Sequence, residues 1–381
     1  MNRIYLDYNA TTPLLPEVRE AMRPFEGESF GNPSSVHALG REARAAVDDS
    51  RDQLAAIIGA KPHEIVFTSG GTEADNLAIL GAARAQASKG RHLITSATEH
   101  HAVLHAFDFL KKHEGFDVSV VGVDSFGRVD PTEVLKAVRP GTTLVSVMSA
   151  NNETGTLQPV RELGARLRER GVLFHSDAVQ SFGKQRINVS DWNTDLLSIS
   201  AHKFYGPKGM GMLYVRSGLA ITPTMLGGFH ENQRRAGTEN VAAIVGMAHA
   251  ARRADWEEED RRLFGLTETL WSGLEKKIRG IRRNGDSSKR LGNTLNVSFE
   301  GCDGESLLIS FDLEGMALSS GSACMVGSIQ PSHVLVAMGV PEVLARSTVR
   351  FSLGRSTTQA DVMTVIDKAP SIVDRVRAHS R

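Results

Sequence analysis

The stretch SISAHKFYGPKGMG, residues 198–211, places two lysines in a loop rich in glycine and proline. Lys203 follows a predicted strand and a histidine, whereas Lys208 lies between a proline and a glycine. A lysine can neutralise a phosphate, face solvent or form a Schiff base with a carbonyl group. The Schiff-base role needs a dry site, because desolvation favours the neutral, nucleophilic amine. We therefore predict that Lys203 is the reactive lysine and that Lys208 is on the solvent side of the loop.

A glycine pair lies where a phosphate could bind. Ser69-Gly70-Gly71-Thr72 joins a predicted strand to a predicted helix. Backbone N–H groups at such a helix N-terminus attract anions. The turn matches neither nucleotide motif, GxGxxG or GxxxxGKS/T, so it favours a single phosphate over a dinucleotide. On these residues alone, a plain turn with Thr72 as helix N-cap is an equal alternative.

Three histidines follow the next predicted strand, in the segment TEHHAVLH. His101 and His105 have a spacing that could present two imidazoles to zinc, but the HExxH signature and a nearby third ligand are absent. We therefore predict no intrinsic metal site. His100 can instead lay its ring against a flat cofactor, with a partly buried histidine at a helix start as the alternative.

Further polar residues follow three more predicted strands. They are Asn151, Asn152, Glu153, Asp177, Gln180, Ser200 and His202. A carboxylate at a strand end is costly to bury unless it meets a cation or a hydrogen-bond donor. Pyridoxal 5′-phosphate needs a lysine, an acid facing its ring nitrogen and anchors for its phosphate. Each residue has a structural explanation alone, but the whole set favours this cofactor.

The elements that carry these residues alternate between short apolar runs and helical patterns. The runs that predict strands are 64–68, 92–96, 118–121, 143–148, 172–175, 195–200 and 211–215. Apolar spacing near 3.6 predicts helices at 73–86, 102–112 and 161–170. This alternation predicts an α/β fold with a mostly parallel, seven-stranded sheet covered on both faces. Ligands of such sheets bind beyond the carboxyl ends of the strands.

The last third of the chain has a different pattern. A long, increasingly charged helix is predicted from 240 to 281, followed by strands at 293–299 and 347–353. A terminal helix at 359–378 is predicted to be interrupted near Pro370. We therefore predict a large α/β domain and a smaller α+β domain. The large domain spans 15–254, and the small domain comprises 1–14 and 255–381.

Composition restricts the class of protein. Its 381 residues allow about two domains. Lys+Arg and Asp+Glu both number 44, so no overall basic field exists to bind nucleic acid or an anionic membrane. The N-terminus lacks the apolar core of a secretory signal, and the longest apolar stretches are too short to span a bilayer. The 2 cysteines suit a reducing compartment, so we expect a cytoplasmic protein without nucleic-acid or membrane partners.

Eight motifs together resemble one known family. They are FTSGGTEADN, TEHHAV, NNETG, HSDAVQ, SISAHKFYGPKGMG, RRAGTEN, SSGSAC and RFSLGR. The chain resembles the pyridoxal-phosphate-dependent cysteine desulfurases of iron–sulfur cluster assembly, within the class V aminotransferases of fold type I. The resemblance covers nearly the whole chain, from YLDYNATTP to RFSLGR. It implies a homodimer that converts L-cysteine to L-alanine and supplies sulfur to an iron–sulfur scaffold or another acceptor protein. A selenocysteine lyase, an aminotransferase and a non-catalytic scaffold remain the alternatives.

The resemblance also implies how the cofactor would be held. Lys203 would bond to it covalently, and His100 would stack on its ring. Asp177 would face the ring nitrogen, and Gln180 would face the phenolic oxygen. The implied phosphate ligands are Gly71, Thr72, Ser200 and His202, helped by Thr238 from the neighbouring subunit.

The remaining roles implied by the resemblance concern substrate and sulfur. Asn152 and Arg350 would bind the substrate carboxylate, for which a guanidinium fork is well suited. Cys324, in SSGSACMVGSIQPSH, would receive the sulfur as a persulfide and could transiently ligate an iron–sulfur cluster on a scaffold. Met325 and Val326 depart from the small hydroxyl residues that commonly follow this cysteine. Cys302 has no implied role.

Overall fold

Twelve strands form three sheets within residues 3–252, 255–320 and 331–379, which the computed structural model describes. In chain order the strands are β1 (Ile4–Tyr5), β2 (Ile65–Thr68), β3 (His92–Ser96), β4 (Asp117–Val121), β5 (Thr142–Ser146), β6 (Leu173–Asp177), β7 (Leu196–Ser200), β8 (Gly211–Val215), β9 (Ile281–Asn284), β10 (Thr294–Phe299), β11 (Met316–Ala317) and β12 (Thr348–Ser352). The α-helices described in the same residues are α1 (Pro16–Glu26), α2 (Ala38–Ile58), α3 (Gly71–Ala85), α4 (His101–His113), α5 (Pro131–Ala137), α6 (Val160–Glu169), α7 (Val189–Trp192), α8 (Val241–Ala251), α9 (Trp256–Lys277), α10 (Gly304–Leu313), α11 (His333–Ala337), α12 (Glu342–Arg346) and α13 (Gln359–His379).

The largest sheet has seven strands in the order β2-β8-β7-β6-β5-β3-β4. Strand β8 is antiparallel to β2 and β7, and the other neighbouring pairs are parallel. Interior strands such as β5 and β7 are buried along their whole length because helices cover both faces, whereas the edge strand β4 is partly exposed. The predicted mostly parallel α/β sheet is therefore confirmed, with strand ends within two residues of the predicted positions.

Successive strand residues enter different apolar cores on the two faces. In β5, Leu144 packs with residues of α3 and α4, whereas Val145 packs with residues of α1, α2, α6 and α8. Such alternation follows from the two-residue repeat of a strand. The sheet therefore lies between two layers of helices, and packing against both layers fixes the positions of its strand ends relative to one another.

Six strands end at the same edge of this sheet. Because β2 is antiparallel to β8 and β8 is antiparallel to β7, β2 points the same way as β7 and its parallel neighbours. The carboxyl ends of β2, β3, β4, β5, β6 and β7 therefore meet at one edge. The residues that the sequence selects for chemistry follow every one of these ends except that of β4.

A second apolar core surrounds the antiparallel sheet β12-β10-β9, with α9 and α13 packed on it. Leu6 belongs to this core, and β1 pairs in parallel with β11, so the N-terminus joins the C-terminal third. These contacts support the predicted division into 15–254 and 1–14 plus 255–381, which stays a prediction. In the described part of the chain, no helix has both the length and the apolarity to cross a membrane.

Two predictions about helices are wrong. The stretch 240–281 forms two helices because its halves face different cores: α8 packs on α1 and α2, whereas α9 packs on α13. Pro370 does not interrupt α13. Its missing N–H removes one helical hydrogen bond, but burial of Ile366, Ala369 and Val373 around it maintains the helix.

Two helix-interior glycines provide a matched test of this packing. A Cβ on Gly164 in α6 would lie 1.9 Å from the carbonyl oxygen of Trp192, whereas a Cβ on Gly265 in α9 would meet no atom within 4 Å. Alanine favours a helix over glycine at both positions. We expect Gly164→Ala to lower the free energy of unfolding by about 1–3 kcal/mol. Gly265→Ala should raise it by about 0.5–1 kcal/mol. Denaturant unfolding measures both values, and equal shifts would contradict the packing described.

Candidate active site

A cavity of about 380 Å³ opens at the shared strand edge. Most of the residues predicted for the site line it: Gly71, Thr72, His100, Asn152, Asp177, Gln180, Ser200, His202, Lys203 and Arg350. Thr238 is exposed and does not line this cavity. Cys324 lies outside the described residues. The cavity is thus lined by residues that follow β2, β3, β5, β6 and β7, and by Arg350 of β12.

Lys203 ends a 3-10 turn, Ala201–Lys203, that directly follows β7. Its Nζ donates hydrogen bonds to the carbonyl oxygens of Asn9, at 2.6 Å, and Ala10, at 2.8 Å. Lys208 is exposed, as predicted. The N-terminal segment therefore supplies acceptors that hold the Lys203 amine at the cavity wall. The sequence offered no signal for Asn9 or Ala10, because their contribution is a backbone carbonyl.

Asp177 is the last residue of β6 and is buried. Its Oδ1 accepts the backbone N–H of Val179 at 2.8 Å. Burial raises the pKa of Asp177 to about 6, against the lowering effects of that N–H and of the Lys203 charge. Such an acid, beside a cation and out of water, suits pairing with a protonated ring nitrogen.

A second buried acid, Asp75, lines the same cavity from the second turn of α3. Its Oδ1 lacks a hydrogen-bond partner among the described residues and lies 3.6 Å from Nε2 of His175. Burial, then the Asp177 charge, raises the pKa of Asp75 well above its usual value. Burial also lowers the pKa of His175 to about 3, so that ring is neutral. Sequence reasoning missed Asp75, although it lies one helical turn after Gly71 in GGTEAD.

His100 is the N-cap of α4, where its Nδ1 accepts the backbone N–H of Ala102 at 3.1 Å. This hydrogen bond puts the proton of the neutral ring on Nε2. Burial, followed by the charge of Lys203, lowers the pKa of His100 to about 4. A neutral ring with a set orientation can stack on a flat cofactor.

Two further histidines, which sequence reasoning did not place here, line the cavity beside His100. The rings of His101 and His333 are 4.7 Å apart between centroids, and Nε2 of His333 donates to the carbonyl oxygen of Glu99 at 3.0 Å. His105 lies on the other side of His101. Within the described ranges, no group of three or more histidine, cysteine or acidic residues is arranged to hold a metal ion.

The N-terminus of α3 forms an anion cradle. The N-cap is Gly70 rather than Thr72, and α3 begins at Gly71. A Cβ on Gly71 would lie 2.7 Å from Cγ2 of Val179 and 3.4 Å from Cβ of Ser200. Glycine therefore leaves space that a side chain would fill, next to N–H groups that attract an anion.

His202 completes the cradle from the turn after β7. Its Nδ1 lies 3.1 Å from the hydroxyl oxygen of Thr11, which can donate to it and leave the ring N–H on Nε2. Burial, then the Lys203 charge, lowers the pKa of His202 to about 4. The cradle thus offers neutral hydrogen-bond donors. It fits the phosphate of pyridoxal 5′-phosphate.

Arg350, in β12, is 1% exposed and enters the cavity from the antiparallel sheet. Nη1 donates to the carbonyl oxygen of Asn152 and Nη2 to Oδ1 of Asp7, both at 2.9 Å. Its Nε has no hydrogen-bond partner in the part of the chain described. These two contacts leave N–H groups of the guanidinium able to bind a carboxylate.

The comparisons agree with this chemistry. Residues 4–365 match the aminotransferase class-V family, and the chain belongs to it. The chain is 50% identical over 379 residues to "Cysteine desulfurase IscS" of Dictyoglomus turgidum, covering 99% of this chain and 96% of that protein. It is 46% identical to "Putative cysteine desulfurase IscS 1" of Bacillus subtilis, over 99% of this chain and 100% of the relative. The predicted resemblance is confirmed, and the cofactor of this family is pyridoxal 5′-phosphate.

Solved structures agree as well. A NifS-like protein superposes with a TM-score of 0.92 at 37% identity, covering 98% of this chain and all of that one (100%). "SspA in complex with cysteine" has a TM-score of 0.81 at 38% identity, covering 92% of this chain and 98% of the other. The predicted fold of pyridoxal-phosphate enzymes of type I is thereby confirmed.

The anion cradle leads to a prediction for cofactor binding. Gly71→Ala should weaken the affinity for pyridoxal 5′-phosphate about tenfold, because its methyl group would collide with Val179; tenfold corresponds to about 1.4 kcal/mol. Adding Val179→Ala should restore most of the loss. Absorbance titration of the apoprotein measures both, with Gly265→Ala as control. Unchanged affinity in Gly71→Ala would contradict the proposed cradle.

Proposed function

We propose that this chain is a pyridoxal-phosphate-dependent cysteine desulfurase that transfers the sulfur of L-cysteine to Cys324. The observation that carries the proposal is the cavity itself, which brings the Lys203 amine, the Asp177 carboxyl and the α3 N-terminus together. Membership of a family whose relatives are named cysteine desulfurases supports the same substrate. The bound cofactor would supply an electron sink for the substrate carbons.

Lys203 has two tasks in this proposal. Its amine would hold the cofactor through the carbonyl carbon and would be freed when the substrate amine binds. The freed Nζ would then accept the proton of the substrate Cα and later return a proton to the same carbon of the product. The carbonyl oxygens of Asn9 and Ala10 support this role, because they accept N–H groups of Lys203 when its amine is free.

Asp177 would pair with the ring nitrogen of the cofactor, and His100 would stack on the ring. An ionised Asp177 would keep a proton on the ring nitrogen, and the raised pKa of the neighbouring Asp75, caused first by burial, disfavours a second negative charge there. The neutral His100 ring can stack without repelling a protonated ring. Gly71, Thr72, Ser200 and His202 would hold the phosphate, with Thr238 contributing from a second subunit.

Arg350 and Asn152 would hold the substrate carboxylate. The Arg350 guanidinium is buried, and within the described ranges it forms an ion pair with one carboxylate, that of Asp7. Burial strengthens its attraction to a second carboxylate, and a planar fork gives that attraction a direction.

The sulfur step balances without another reactant. The Cys324 thiolate attacks the substrate sulfur, a sulfur–sulfur bond forms, and the carbon–sulfur bond breaks. Two protons, one from each thiol, stay in the system: one completes the methyl group of L-alanine and one remains on the persulfide. Residues on both sides of Cys324 in the sequence support its access to the cavity. The carbonyl oxygen of Ser319 accepts the N–H of Arg350 at 2.7 Å, and His333 lines the cavity.

We further infer a cytoplasmic homodimer that supplies iron–sulfur cluster assembly or another sulfur acceptor. Large exposed apolar side chains support a second subunit: Leu226 and Phe229 are 81% and 84% exposed in the loop that leads to Thr238. The names of the relatives support a role in cluster assembly. The partly buried free thiol of Cys302 suits a reducing compartment.

Replacement of the two loop lysines tests the cofactor bond. Lys203→Ala should abolish the visible absorbance of the lysine-bound cofactor and lower turnover about a thousandfold or more, because no second lysine among the described residues lines the main cavity. Lys208→Ala removes an exposed charge and should keep both properties. Absorbance spectra and sulfide release measure the outcome. An unchanged spectrum in Lys203→Ala would exclude this assignment.

Replacement of the two cysteines tests the function itself. Cys324→Ser should keep the cofactor and its spectral response to L-cysteine, but release no sulfide in the presence of a dithiol. Cys302→Ser should behave as the parent, since burial raises the pKa of this thiol and disfavours its nucleophilic thiolate. Sulfide and alanine are both assayed. Normal yields from Cys324→Ser, or keto acid instead of alanine from the parent, would overturn the proposed function.

A further inference from the structure

The amide of Gln180 is held from two sides. Its Nε2 donates to the carbonyl oxygen of Asn9 at 3.0 Å. Its Oε1 lies 3.3 Å from Nζ of Lys184, which also donates to the backbone carbonyl of Gln180 at 2.9 Å. Lys203 shares the Asn9 carbonyl. Gln180 is therefore part of the same hydrogen-bond network as the reactive lysine.

Lys184 has no part in the chemistry proposed above. It lines a small separate cavity of about 20 Å³ behind Lys203, together with Glu259 and Asp260. Burial and the Lys203 charge lower the pKa of Lys184 to about 7, while Asp260 and Glu259 oppose this shift; the Arg350 charge adds to it. Either protonation state of the amine has enough N–H groups to donate to both oxygen atoms of Gln180.

The two contacts demand the same orientation of the Gln180 amide. The carbonyl oxygen of Asn9 can only accept, so it must face the NH₂ group. The protonated amine of Lys184 can only donate, so it must face Oε1. Rotating the amide by half a turn would set NH₂ against an ammonium and oxygen against oxygen. One N–H of Gln180 is used by Asn9, and the other remains to donate into the main cavity.

We propose that Lys184 is a positioning residue that holds Gln180 with its N–H, rather than its carbonyl oxygen, toward the phenolic oxygen of the bound cofactor. The proposal rests on the proposed function, in which Gln180 faces that oxygen. Donation to the phenolic oxygen stabilises its anionic form. It therefore lowers the pKa of the Schiff base between Lys203 and the cofactor.

Titration of the holoenzyme by visible absorbance tests this role. Lys184→Met keeps the apolar stem but removes one of the two contacts that set the amide orientation, so only the Asn9 carbonyl then opposes the rotated amide. We expect the Schiff-base pKa to rise by about 0.5–1 unit, the equivalent of one hydrogen bond. Lys184→Arg, which still donates, and the surface control Lys208→Met should titrate as the parent does. If Lys184→Met does not fold, Lys184→Leu, which also removes the donor, serves as the second variant with the same expected rise.

Loss of a nearby positive charge could raise the same pKa, and a double-mutant cycle separates the two effects. In a Gln180→Leu background, the shift caused by Lys184→Met should fall to less than half, because Lys184 acts through the amide. A shift of half or more in that background, or no shift in the single variant, would overturn the proposal. A parent protein that forms no visible complex with pyridoxal 5′-phosphate would instead refute the proposed function.

Discussion

Asn9 connects the large sheet to the small antiparallel sheet at the cavity, and its main-chain carbonyl is the central acceptor. It accepts hydrogen bonds from Lys203 and Gln180, which follow two strands of the large sheet. The side chain of the same residue donates to Thr294 and accepts from Asn293, at the start of the antiparallel sheet. Asn9 therefore bonds both to residues that follow strands of the large sheet and to residues at the start of β10. A displacement of the antiparallel sheet would also displace the carbonyl oxygen that accepts from Lys203.

Burial sets the charges around this point more than ion pairing does. It lowers the pKa values of His100, His175 and His202, so these three rings are neutral near pH 7. It also raises the pKa of Glu99 to about 8, although Ser96 and the N–H of Met148 oppose the shift. The guanidinium of Arg350 therefore lies in a cavity whose wall includes neutral imidazoles. An anionic substrate would meet a low-dielectric site in which this cation is already in place.

In the proposed function, Arg350 links the substrate to the second sheet. Its backbone N–H is bonded to Ser319, its guanidinium to Asp7 and Asn152, and its strand pairs with β10. Two segments thus constrain the side chain, and two more constrain its backbone. These contacts would keep the buried guanidinium in one orientation before and after a carboxylate binds. They would also tie substrate binding to the N-terminal segment that bonds to Lys203.

The sequence by itself determined the alternation of strands and helices, the shared strand edge and the position of Lys203 within it. These features are predictable because strand periodicity, glycine turns and polar strand ends are local signals. Tertiary structure alone decided that Asn9 and Asp75 line one cavity with Lys203, since residues far apart in the chain produce no common period. Arg350 was predicted there only through the family resemblance. Packing also outweighed the local sequence pattern at two places: it divided the predicted helix 240–281 into α8 and α9, and it kept α13 continuous through Pro370. The orientation of the Gln180 amide is also decided by tertiary structure alone. It depends on where the carbonyl oxygen of Asn9 and the amine of Lys184 lie in space, and the sequence does not encode these positions locally.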